Sequence, residues 1–108
     1  MSAEQRFAAL VDALVTRPGV GPPGSGGGRG FGSTALTVDG RIFAMVVGGA
    51  LVLKLPRHRV EGLVAAQTGL PFTAANGRPM REWVALDHGT PEFDLPLAEE
   101  ALAFVRGS

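Results

Sequence analysis

Two tight-turn signals, Asp39-Gly40 and Gly48-Gly49, interrupt a stretch that is otherwise apolar or alternating. An Asp-Gly pair between two apolar runs is the strongest short-range hairpin signal, because both central residues of a type I′ turn need positive φ. The two turns divide the stretch into strands at residues 34–38, 41–47 and 51–55. Leu51, Leu53 and Leu55 alternate with Val52 and Lys54, so the third strand has one wholly apolar face. Residues 42–47 are apolar at every position, the pattern of a central strand covered on both sides. Three consecutive strands joined by turns this short can pair only as an antiparallel meander.

Helical patterns stand on either side. Phe7, Leu10, Val11, Leu14 and Val15 fall on one stripe of a helix. Ser2 and Gln5 have the spacing of a capping box, and Pro18 with Gly19 ends the pattern. Pro56 fits the first turn of a second helix carrying Val60, Leu63 and Val64, which Thr68-Gly69 closes. Residues 70–81 read as a polar loop with a turn at Asn76-Gly77. Residues 82–86, around the single tryptophan Trp83, read as a fourth strand. Asp94 is the expected N-cap of a last helix with Leu95, Ala98, Ala101, Leu102 and Val105 on one face. The predicted fold is α+β, one domain over residues 1–108, in the order α-β-β-β-α-β-α. Its core should bury Ile42, Phe43, Leu51, Leu53 and Leu55 against Leu10, Leu14 and Trp83.

Residues 17–32 hold eight of the sixteen glycines and read as a flexible loop. Gly19, Gly21 and Gly24 match the spacing of a dinucleotide fingerprint, but they follow a helix and precede none, and two prolines remove N–H donors. An anion-binding turn from residues 26–30 with Arg29 is the alternative, and would make this a small-ligand or phosphate-binding protein.

Reaction chemistry is sparse. The absence of Cys removes disulfides, thiolate nucleophiles and thiolate metal sites. None of the four serines lies in a Gly-x-Ser-x-Gly elbow. His58 sits between Arg57 and Arg59, and His88 beside Asp87; both contexts suit solvated residues. Glu99 and Glu100 are helix neighbours and point about 100° apart. No catalytic, cofactor or metal residue is assigned, and no cofactor is expected. Phe31, Phe43, Phe72 and Trp83 read as core or loop plugs rather than a stacking platform.

Charge is unevenly placed although the net is zero. Residues 29–81 carry seven basic and two acidic side chains, and residues 82–108 carry one basic and six acidic. The simplest reading folds the acidic end onto the basic middle. Arg57, Arg59, Arg78 and Arg81 form the candidate interaction surface. Without interleaved aromatics they make a weak nucleic-acid site, so direct nucleic-acid contact is expected to be weak and the partner to be a protein. The longest apolar run is far short of the ~20 residues of a membrane helix, and the N-terminus lacks a signal-peptide pattern. A soluble, cytoplasmic protein without a membrane partner is expected.

Several pieces together resemble the N-terminal domain of the TfoX/Sxy competence-regulator family. They are Phe31-Gly32-Ser33-Thr34-Ala35-Leu36, then Val38-Asp39-Gly40-Arg41-Ile42-Phe43-Ala44-Met45, then Leu53-Lys54-Leu55-Pro56-Arg57, then Pro71-Phe72, then Gly77-Arg78-Pro79-Met80-Arg81-Glu82-Trp83-Val84. The order of the pieces is the specific feature, and the likeness runs over about residues 5–106. It implies a stand-alone, non-enzymatic binding or regulatory domain that works through a macromolecular partner, in the context of transcription. It carries no catalytic residue across.

Overall fold

The structure is a computed structural model that describes residues 2–22, 35–74 and 76–107. The predicted strand start at Thr34, most of the Gly/Pro loop, Arg29 and Phe31 lie outside the described residues.

Among the described residues three helices and six strands follow in the order α1 (Ala3–Leu14), β1 (Val20–Gly21), β2 (Ala35–Val38), β3 (Arg41–Val47), β4 (Ala50–Lys54), α2 (Arg57–Ala65), β5 (Leu70–Thr73), β6 (Pro79–Leu86) and α3 (Pro91–Arg106). The fold is α+β, as the hairpin signals require. The seven expected elements keep their order, and two strands, β1 and β5, are added. All strands join one antiparallel sheet in the order β1-β2-β3-β4-β6-β5. The meander β2-β3-β4 is therefore its centre. Asp39 and Gly40 have φ of 52° and 81°, and Gly48 and Gly49 have 58° and 80°, the geometry of two primed turns.

Ser2 and Gln5 form the expected capping box at the start of α1. Leu10 and Leu14 of α1, Val60 and Leu63 of α2, and Leu97, Ala98, Ala101, Leu102 and Val105 of α3 are buried on one side of the sheet. They meet Leu36, Phe43, Leu51, Leu53, Val84 and Leu86 there, with α1 and α3 over the centre and α2 over β5 and β6. The opposite sheet face carries a second apolar cluster of Ala35, Met45, Val52 and Ala85, flanked by Ile42, Val47, Phe72 and Trp83. No described helix takes part in it.

That second cluster corrects two expected core positions. Ile42 and Trp83 are half-buried members of the opposite face. For Ile42 the cause is a β-bulge. Leu36 pairs with Ala44 but Thr37 pairs with Ile42, so Phe43 is an extra residue. Phe43 and Ala44 both join the helix-side core, and Ile42 is thrown to the side of Met45. For Trp83 the cause is its pairing with Lys54, since the neighbouring pair Leu53–Val84 occupies the helix side.

A second correction concerns α3. The helix starts at Pro91, with Thr90 as its N-cap; proline is preorganised for the first helical position and loses no needed N–H there. Asp94 is not the cap but a first-turn residue with no exposed surface. Its carboxylate accepts from Arg6 Nε and Nη2, both at 2.7 Å, and Arg6 Nη1 donates to the Leu86 carbonyl at 3.0 Å. A Cβ on Gly89 would lie 2.7 Å from Arg6 Nη2 and 2.9 Å from Asp94 Oδ1, so only glycine fits beside the pair.

The sequence predicts a polar loop over residues 70–81, whereas Leu70–Thr73 form the edge strand β5 and β6 begins at Pro79. An edge strand tolerates proline, since no further strand needs its N–H.

Because Leu53 has no exposed surface and points into the helix-side core, Leu53→Ala is expected to destabilise the fold by about 2–5 kcal/mol. Ile42→Ala, on the half-buried face, should cost clearly less. Urea unfolding measures both; a Leu53→Ala loss below about 1 kcal/mol would contradict the assignment of faces.

Candidate functional site

The least regular part of the sheet is the β5–β6 ladder. Pro71 pairs with Val84 and Thr73 with Pro79, so β6 spends three more residues than β5 over the same stretch. In that interval β6 stays with β4: Lys54 pairs with Trp83, and the Leu55 N–H donates to the Glu82 carbonyl at 3.0 Å. Its residues 80–83 therefore arch away from β5. Prolines stand at both ends of the gap, Pro71 on β5 and Pro79 on β6. Beyond the arch the chain turns at Asn76-Gly77 as expected, with the Gly77 N–H on the Ala74 carbonyl and the Arg78 N–H on Asn76 Oδ1.

The arch leaves open troughs on either side. One, of about 380 Å3, runs beside α2 and is lined by Val60, Val64, Ala65 and Pro71. Another, of about 560 Å3, lies on the sheet face opposite the helices, over Ile42, Met45 and Val47. Phe72, Met80 and Trp83 line both. Lys54 Nζ stands 5.5 Å from the Trp83 ring centroid, a cation–π contact worth ~0.5–1 kcal/mol at an open site. It steadies the indole at the mouth of both troughs.

The four arginines singled out by sequence do not form one patch. Arg59 reaches across to α3, where its Nε and Nη2 donate to the two carboxylate oxygens of Glu100 at 3.0 and 3.1 Å. That hydrogen bonding raises the Arg59 guanidinium above its ordinary pKa, so it stays protonated throughout the working pH range. Arg57 donates to Glu61 four residues on, at 3.0 Å. Arg78 and Arg81, by contrast, are exposed, and neither forms an ion pair among the described residues. Both line a further depression at the hairpin, with Glu82, and Arg81 also edges the α2 trough.

The acidic end is folded onto arginines, but only one of them belongs to the basic middle on which the charge pattern placed it. Asp94 meets Arg6, Glu99 meets Arg17 and Glu100 meets Arg59. Two of these three arginines come from the N-terminal segment rather than from the basic middle. Glu99 and Glu100 thus go to different partners and do not face one space.

His88 is exposed, and its Nδ1 lies 2.8 Å from Asp87 Oδ1. His58 is exposed on the first turn of α2. Among the described residues no three His, Asp or Glu side chains come together as a metal-holding group. The glycine-loop alternative rests on residues 26–30, outside the described residues.

Trp83 is the site residue that sequence reasoning missed, having been read as a core plug. The signal that could have found it is the pair of prolines, Pro71 and Pro79, bracketing a hairpin turn next to the only tryptophan. Comparison with protein-family models, curated proteins and solved structures finds no match.

Since neither histidine is held by the fold, His58→Ala with His88→Ala is expected to shift stability by no more than about 0.5 kcal/mol. Urea unfolding and elemental analysis of the purified protein check this. A stoichiometric metal that disappears in His88→Ala would contradict it.

Proposed function

We propose that this chain is a non-enzymatic binding domain that acts through a macromolecular partner, as the resemblance to TfoX/Sxy N-terminal domains implies, and that this partner is a protein. The observation that supports the reading most is the character of the troughs. Their walls are apolar side chains around a half-buried tryptophan. The charged side chains on the α2 trough are Glu61, already engaged by Arg57, and Arg81. Tryptophan and arginine beside an apolar hollow are the composition of a protein-binding hot spot.

Duplex DNA is a poor fit as the direct partner. With Arg57 and Arg59 engaged internally, Arg78 and Arg81 remain, and two phosphate contacts limit the log–log salt slope to about −1.8. Fluorescence anisotropy with a labelled duplex at two salt concentrations tests the choice. Weak binding is expected, and little change in Arg78→Ala with Arg81→Ala. Submicromolar affinity near physiological salt, abolished by the double change, would overturn the protein-partner reading.

A further inference from the structure

We infer that the trough between α2 and the β6 arch receives an acidic, apolar segment of a partner protein. An aromatic or branched aliphatic side chain would sit against Phe72, Met80 and Trp83, with flanking carboxylates on Arg78 and Arg81. The inference rests on the protein-partner reading and names the site and the chemistry of what fills it.

Size and shape set the first condition. At about 380 Å3 the trough is near the lower end of the ~300–1,000 Å3 that takes a whole drug-sized ligand. It is open along its length, so it suits one or two side chains projecting from a chain that continues past it. The wall is apolar on three sides: Val60, Val64 and Ala65 from the helix, Pro71 and Phe72 from β5, and Met80 with Trp83 from the arch. Met80 brings an unbranched, adaptable thioether to the floor.

Charge selects the occupant. Around the hairpin end, Arg78 and Arg81 stand against Glu82. On the α2 side the charges of Arg57 and Glu61 cancel. On the sheet side Lys54 adds a cation over the Trp83 ring. The rim is therefore net basic although the whole chain is neutral. A second copy of this chain docked by two-fold symmetry would bring this basic rim against the same patch on its mate, an unfavourable pairing. A segment that carries carboxylates beside its apolar anchor gives the two arginines the ion-pair partners they lack among the described residues. Guanidinium groups favour that pairing because they bind carboxylates in bidentate geometry.

The test is selection of a phage-displayed library of short random peptides on the immobilised full chain, followed by titration of tryptophan-free synthetic versions of the enriched sequences. Trp83 is the only tryptophan, so its emission reports binding at either trough it lines, and loss of the signal in Ala65→Glu, exposed on α2 and lining the α2 trough, assigns the binding to that trough. Enriched peptides should pair an aromatic or branched aliphatic residue with flanking Asp or Glu, and saturation should shift Trp83 emission to the blue. Arg78→Glu with Arg81→Glu should weaken binding roughly tenfold and leave the thermal midpoint in place, since both side chains are exposed. Enriched sequences that are neutral or basic, affinity indifferent to the charge reversal, or no enrichment over bare support would each overturn the inference. Peptides that bind without moving Trp83 emission would remove this site while leaving a protein partner in play. Tight duplex binding in the anisotropy experiment would instead remove the protein-partner reading itself.

Discussion

Arg6 and Asp94 are taken out of water together, with side chains 1% and 0% exposed. Removing either charge from solvent alone costs several kcal/mol, and the pair repays this only with good geometry and satisfied hydrogen bonds. Both conditions hold. The contact is bidentate, the remaining guanidinium nitrogen reaches the Leu86 carbonyl, and Asp94 lies in the first turn of α3, where the helix dipole favours a negative charge. One residue of α1, the end of β6 and the start of α3 thus meet at a point. Gly89, with no Cβ, lets the chain pass beside it.

The rest of the helical layer follows from that point. With its start fastened, α3 lies across the central strands and presents Glu99 and Glu100 to Arg17 and Arg59. Those outer pairs are half-exposed and contribute little on their own; they decide orientation more than stability. All three described helices then occupy one sheet face. Among the described residues the other face carries its own apolar cluster, and the irregular β5–β6 edge becomes the place where concave apolar surface is available. A register shift between Pro71 and Thr73 makes that edge irregular, so the site lies where the two strands fall out of step.

Local rules made most of the fold legible in the sequence. The capping box at Ser2, the primed turns at Asp39-Gly40 and Gly48-Gly49, the Leu51-Leu53-Leu55 alternation and the α3 stripe each depend on residues a few positions apart, and each is present. What was not legible depends on distant partners. Asp94 looks like an N-cap until Arg6, 88 positions away, claims its carboxylate. Ile42 reads as core until the pairing with β2 makes Phe43 a bulge. Trp83 reads as core until Lys54 is known to be its cross-strand neighbour. At the candidate site, Arg78 and Arg81 could be singled out from sequence, but their separation from Arg57 and Arg59 could not, because Glu61 and Glu100 choose among them only in the folded chain. The two-residue β1 is too short to leave a periodic signal.

The account stands or falls on the buried pair, and a comparison of unfolding free energies in urea tests it most directly. Asp94→Ala strands the Arg6 charge in the core and should cost about 3–5 kcal/mol, whereas Arg6→Met with Asp94→Val, which removes both charges and comes close to the original volume, should recover most of that loss. An Asp94→Ala protein within about 1 kcal/mol of the parent would contradict the claim that this ion pair fastens the helical layer to the sheet, and a double variant no better than the single one would contradict the claim that the loss comes from the stranded charge.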